Sequence, residues 1–235
     1  MQNLYSWIIL VGKKKDTLMR RLLLTALLPL SLLAVTLPEK ALYLEGSSDK
    51  GIILAHGKGM HPDFKVVGPL RQALNEDLDF HTLSLQMPTN HEDYAGYEAE
   101  QPLVDAMIDR AIVYLKEHGV KTIYLMGHSL GAGMTSSYLV SHPDASIAGY
   151  IAVGCRGNKS RVISCNDNMP KIKVRVLDVW GRANGEDEGF AATRATLVGA
   201  EYTQYGIDGA NHVLDGAEGF FVDEVETWLG GQETE

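Results

Sequence analysis

The spacing in this chain most suggestive of chemistry is Gly127-His128-Ser129-Leu130-Gly131. It follows an apolar run, Thr122 to Met126, that reads as a strand, and it precedes a segment, Leu130 to Ser141, that reads as a helix. A serine on a sharp strand-to-helix turn has its hydroxyl lifted clear of the backbone, and glycine neighbours allow so tight a turn. A hydroxyl is a poor nucleophile until a base takes its proton, so a histidine must approach Ser129. Eight histidines are available. His128 lies in the turn itself and His56 ends an earlier strand, so each reads as a packing or orienting group. His142 stands before Pro143, where a helix stops. The other reading of the pentapeptide is a glycine-rich turn in which Ser129 merely caps a helix.

The elements that must position such a serine alternate along the chain. Strands are expected at Gly51 to His56, Thr82 to Met87, Thr122 to Met126, Ile147 to Val153, Val174 to Trp180 and Tyr202 to Ile207, with Ala41 to Glu45 as an antiparallel edge. Between them helices are expected at Val67 to Glu76, Pro102 to His118, Leu130 to Ser141, Phe190 to Gly199 and Gly219 to Leu229. The clearest is Pro102 to His118. Its stripe of Leu103, Met107, Ala111 and Leu115 is widened by Val104, Ile108 and Ile112, and Gly119 ends it. Strand–helix alternation predicts an α/β fold, a mostly parallel sheet of about six to seven strands with helices on both faces. No internal repeat or linker interrupts it, so residues 41–235 read as a single domain.

With these residues in place the chain resembles the α/β-hydrolase superfamily, over roughly residues 41 to 229. The likeness is to small, cap-less bacterial serine hydrolases. The resemblance implies a cofactor-free hydrolase acting on an ester or related acyl bond of a small molecule. It implies Ser129 as nucleophile and His212 as base, since His212 follows the last strand in Gly209-Ala210-Asn211-His212, where the superfamily's chain order puts that residue. His56-Gly57-Lys58-Gly59 matches the turn that supplies one oxyanion amide, at Lys58 or Gly59, and Leu130 would supply the other. The acid departs from the pattern: Asn184 stands at its usual position, and an amide cannot stabilise an imidazolium as a carboxylate does. Asp187 is the first replacement and Asp178 the second. The departure keeps open a non-catalytic binding or scaffold protein on the same fold, and the same site could also transfer an acyl group to an acceptor other than water.

Composition narrows the classes further. Apolar residues make up 45% and charged residues 22%, as in an ordinary folded domain, and the net charge of −9 argues against nucleic acid as a partner. No H-E-x-x-H, paired C-x-x-C or P-loop is present, and Gly131-Ala132-Gly133 lacks the rest of a dinucleotide turn, so neither metal nor cofactor is expected. Residues 1–40 read as an N-terminal extension. Met19-Arg20-Arg21 opens the apolar run Leu22 to Leu37, a signal peptide or, if uncleaved, a membrane anchor. The run is short for a span, which needs roughly 20 residues. The expected location is periplasmic or secreted, and the membrane is met only through this segment. In an oxidising compartment Cys155 and Cys165, which bracket CRGNKSRVISC, are expected to pair. Arg156, Lys159 and Arg161 would then place positive charge beside the site, or simply be solvated. The short Val153 to Val174 connection leaves no room for a large cap, which predicts an open site and short or polar acyl groups.

Overall fold

A computed structural model describes residues 35–157, 160–183 and 185–231. The signal or anchor run, apart from its last residues, and the side chains of Lys159 and Asn184 lie outside them. In chain order the elements are β1 (Leu42–Leu44), β2 (Lys50–Ala55), α1 (Val67–Leu78), β3 (His81–Leu85), α2 (Tyr94–Ala99), α3 (Gln101–Glu117) and β4 (Thr122–His128). There follow α4 (Leu130–Ser141), β5 (Gly149–Val153), α5 (Cys165–Asn168), β6 (Arg175–Gly181), α6 (Glu186–Ala192), β7 (Tyr202–Ile207) and α7 (Glu218–Gly230).

The strands form one sheet in the order β1-β3-β2-β4-β5-β6-β7. β1 runs antiparallel to β3, and every other pairing is parallel. Because side chains alternate across a strand, each long apolar run feeds two cores. Ile53, Leu83 and Leu125 pack with Val104, Ile108 and Leu115 of α3 and Met134 and Tyr138 of α4. Ile52, Leu54, Met126 and Leu177 pack on the opposite face with Leu70 and Leu74 of α1 and Phe221, Val225 and Leu229 of α7. This is the α/β-hydrolase architecture. The chain leaves β2 toward β3 and leaves β4 toward β5, so a crevice opens between the carboxyl ends of β2 and β4, where such sheets bind ligands.

Three local readings change. The stripe of α3 buries Val104, Ile108, Ala111, Ile112 and Leu115 but turns Leu103 outward, 53% exposed. The helix expected at Phe190 to Gly199 begins earlier, at Glu186, and gives way to a 3₁₀ turn at Ala195–Leu197. Three acidic residues, Glu186, Asp187 and Glu188, fill its first turn, where the helix dipole favours negative charge. A short helix not read from the sequence, α2, is capped by Asp93, whose Oδ1 accepts the Gly96 N–H at 3.0 Å. Among the described residues no helix is long and apolar enough to cross a membrane.

Candidate active site

Ser129 sits between β4 and α4 with φ 55° and ψ −118°, a conformation costly for a residue with a side chain. The turn is held from several sides. Its own N–H donates to the Val153 carbonyl at 2.8 Å, and its carbonyl accepts from the Gly133 N–H at 3.1 Å. A Cβ on Gly131 would lie 2.4 Å from the Ala55 carbonyl oxygen, and one on Gly127 would lie 2.4 Å from Thr135 Oγ1. Nothing larger than glycine fits where α4 starts against the end of β2.

His212 enters from the loop after β7. The Asn211 side chain shapes that loop by accepting the N–H groups of Val213 and Asp215 at 3.0 and 3.1 Å. The Ser129 hydroxyl and His212 Nε2 are 2.8 Å apart, and His212 Nδ1 lies 2.8 Å from Asp187 Oδ2. With the carboxylate ionised, Nδ1–H donates to Asp187 and Nε2 is left to accept the serine proton. Asp187 comes from the first turn of α6, with a side chain only 1% exposed. Its other oxygen, Oδ1, accepts from Arg156 Nε at 2.6 Å, while Arg156 Nη1 reaches Glu186 Oε2 at 3.0 Å. Burial alone would raise the Asp187 pKa, but hydrogen bonds and charge from His212 and Arg156 outweigh it and hold the carboxyl below its usual value.

Asp178 is not brought to His212. Fully buried in β6, it takes a two-pronged hydrogen bond from Arg194, whose Nε and Nη2 each lie 3.0 Å from its oxygens. Tyr202 Oη and Gln204 Nε2 donate to it as well, at 2.9 and 3.1 Å. Asp178 points into the sheet edge and binds Arg194, which follows α6, to β7.

Two histidines hold the surroundings of Ser129. The His128 Nε2–H donates to the His212 carbonyl at 3.0 Å, tying the turn of the serine to the backbone of the histidine loop. Burial pushes its pKa down to about 4, so the ring is neutral at ordinary pH. The His56 Nδ1–H donates to the Gly57 carbonyl at 2.8 Å, and its Nε2 accepts the Met87 N–H at 3.0 Å. The turn Gly57 to Met60 is thereby fastened beside Ser129. Among the described residues no acceptor takes the amide hydrogens of Lys58, Gly59 or Leu130. The Lys58 side chain reaches the Glu92 carbonyl at 3.1 Å, outside this turn.

Cys155 and Cys165 form a disulfide with Cα atoms 5.8 Å apart. The bridged loop borders the site, because Arg156 follows Cys155 directly and the Cys165 N–H donates to the Arg156 carbonyl at 3.1 Å. Arg156 is thus committed to Asp187 and Glu186 rather than presented as a free charge at an entrance. Arg161 is exposed. Sequence reasoning missed the Arg156 clamp on Asp187, and no motif announces it: the two residues are 31 positions apart. Among the described residues no group of three or more His, Cys, Asp or Glu side chains converges as a metal site.

Solved structures share this frame. A dienelactone hydrolase from Anabaena variabilis aligns over 84% of this chain and 94% of its own, at TM-score 0.64 and 16% identity. Est1E from Butyrivibrio proteoclasticus, solved with ferulic acid, aligns over 83% and 95%, at TM-score 0.63 and 16% identity. MenH from S. aureus aligns over 83% and 100%, at TM-score 0.59 and 14% identity. At such identities the likeness is one of fold. No curated protein sequence matches the chain. A family model described as "Protein of unknown function (DUF3530)" matches residues 92–229, which include the serine turn, the Arg156 loop, α6 and His212. The chain therefore belongs to the DUF3530 family, built on the α/β-hydrolase fold.

Proposed function

We propose that this protein is a serine hydrolase of esters or related acyl bonds, with Ser129 as nucleophile, His212 as general base and Asp187 as the orienting carboxylate. The observation that carries this reading is the unbroken chain of two 2.8 Å contacts from the Ser129 hydroxyl through His212 to a buried, ionised Asp187. In this mechanism His212 takes the Ser129 proton as Oγ attacks the acyl carbon, and returns it to the departing alcohol oxygen. Asp187 holds the ring with Nε2 facing the serine and stabilises the imidazolium as it forms. The amides of Leu130 and of Lys58 or Gly59 are available to the oxyanion, as fixed dipoles that need no reorganisation. Water then enters along the path of the alcohol, activated by the same histidine. The domain carrying this chemistry is taken as residues 41–235. The disulfide supports an exported location, because such bonds persist in oxidising compartments.

The test is covalent labelling followed by turnover. A fluorophosphonate should modify Ser129 alone, and Ser129→Ala should stay folded while losing several orders of magnitude in kcat. A residual ~10³- to 10⁴-fold rate over water is the most that binding and an oxyanion hole would leave. Wild-type turnover in Ser129→Ala would refute the mechanism.

A further inference from the structure

Beside the candidate site lies a groove of about 820 Å³. Lys40, Glu100 and Arg110 are among its polar lining, and its apolar lining includes Met60, Met87, Pro88, Leu103, Ala106 and Met107. Met60 follows β2, Met87 and Pro88 follow β3, and the others lie on the outward side of α3, so the groove crosses the carboxyl ends of the β2 and β3 half of the sheet. Met60 brings its wall close to Ser129. A Cβ built on Gly57 would lie 3.1 Å from Ser129 Cβ and 3.3 Å from Met60 Sδ, which places the serine and the first wall of the groove on either side of one point. The His56 hydrogen bond to the Met87 N–H fixes the groove floor to the same turn. Leu103, 53% exposed on α3, is part of this wall.

The chemistry decides which part of a substrate goes there. The departing alcohol must receive its proton from His212, so it leaves on the side of β6 and β7, from whose loops Asp187 and His212 project. With Oγ on a second side of the tetrahedral carbon and the oxyanion toward Lys58 and Leu130, the acyl substituent is directed away from His212. That direction is toward β2 and β3.

We propose that this groove binds the acyl chain of the substrate and that the chain is unbranched and of medium length, an inference that rests on the hydrolase reading of Ser129. Three thioethers make an adaptable apolar wall suited to a flexible methylene chain. The lining along α3 from Glu100 to Arg110 spans about 15 Å at the helical rise. Such a groove replaces the expectation of short or polar acyl groups. The step balances: the Ser129 Oγ–acyl bond forms as the alcohol C–O bond breaks, the serine proton passes through His212 to the alcohol, and water releases the carboxylic acid and restores Ser129.

The kinetic test compares p-nitrophenyl octanoate with the acetate. kcat/KM should be roughly tenfold or more higher for octanoate, from the apolar area the groove covers. Ala106→Trp, at an exposed position, should lower the octanoate-to-acetate ratio roughly tenfold by filling the groove. Binding is read independently in Ser129→Ala carrying ¹³C-methyl methionine and titrated with octanoate. The methyl resonances of Met60, Met87 and Met107 should move, while those of the core residues Met126 and Met134 stay. Equal kcat/KM for the two esters, or groove methyls that do not respond, would overturn the proposal and leave this face to some other occupant. Shifted groove methyls with no turnover of either ester would instead remove the hydrolase reading and keep the acyl groove.

Discussion

Two buried aspartates, Asp178 and Asp187, each bind an arginine, and their surroundings differ. Asp178 and Arg194 are both almost wholly buried, at 0% and 2% side-chain exposure, and Tyr202 and Gln204 complete the shell around the carboxylate. Arg194, Tyr202 and Gln204 all donate to this carboxylate, which joins β6, β7 and the turn after α6. Asp187 is equally buried, but its arginine is 24% exposed and its second oxygen faces an imidazole that in turn faces Ser129. Arg194 grips both oxygens of Asp178, whereas Arg156 gives Asp187 one bond and turns its other arm to Glu186. The second oxygen of Asp187 is thereby left to a partly exposed imidazole, an arrangement that Asp178 lacks.

Breaking each side of this comparison should give different losses. The largest effect is expected from Asp187→Asn, which preserves shape but leaves Nδ1 facing an amide; kcat should fall by about 10⁴-fold with the fold retained. Circular dichroism and steady-state kinetics on one preparation check both halves, and kcat within a few-fold of wild type would take Asp187 out of the mechanism. Asp178→Ala should do the reverse. Leaving Arg194 buried and uncompensated should cost about 3–5 kcal/mol in urea unfolding, with kcat per folded molecule little changed. If stability hardly moves and turnover collapses, the assignment of the two aspartates is inverted.

The disulfide is the next smaller term. Cys155→Ser with Cys165→Ser should lower unfolding free energy by about 2–3 kcal/mol, mainly through a freer unfolded chain. The unmodified oxidised protein should show no reactive thiol, since among the described residues no cysteine is free. The smallest effect is expected from Arg156→Gln, about tenfold in kcat/KM, because Asp187 keeps its His212 bond and loses only one anchor.

The Arg156 variant also has a signature in pH. Asp187 has its folded pKa below the ordinary 3.8, so its contribution to stability is present above that value and is lost as pH falls through the lowered pKa. Removing Arg156 takes away part of the lowering, so acid unfolding should begin at higher pH in Arg156→Gln. In Asp187→Asn this component should vanish. Superimposable acid unfolding curves for wild type and Arg156→Gln would show that the clamp contributes nothing.

Much of this was legible from residue order. Six parallel strands and the antiparallel edge were readable because a sheet covered on both faces demands continuous apolar runs, and the serine turn because its glycines have no substitute where a Cβ would overlap Ala55 or Thr135. The start of α6 was misplaced for a local reason: its first turn is acidic and carries no apolar stripe, so periodicity did not reveal it, although the acidic run itself is a helix-start signal. Leu103 was assigned to the core because a stripe shows which residues are apolar, and which of them another element covers is settled elsewhere.

By itself the sequence determined the alternation of strands and helices, the strained turn at Ser129, and a short set of histidines and carboxylates able to approach it. These follow from spacing between near neighbours, where backbone geometry leaves few choices. Only the tertiary structure brought Asp187 rather than Asp178 to His212, paired Arg156 with the former and Arg194 with the latter, and formed the groove lined by Met60, Met87 and Met107. Those outcomes depend on side chains tens of positions apart meeting across loops at one end of the sheet. Their meeting is set by packing and by which charges are removed from water together, quantities that no local pattern of residue types encodes.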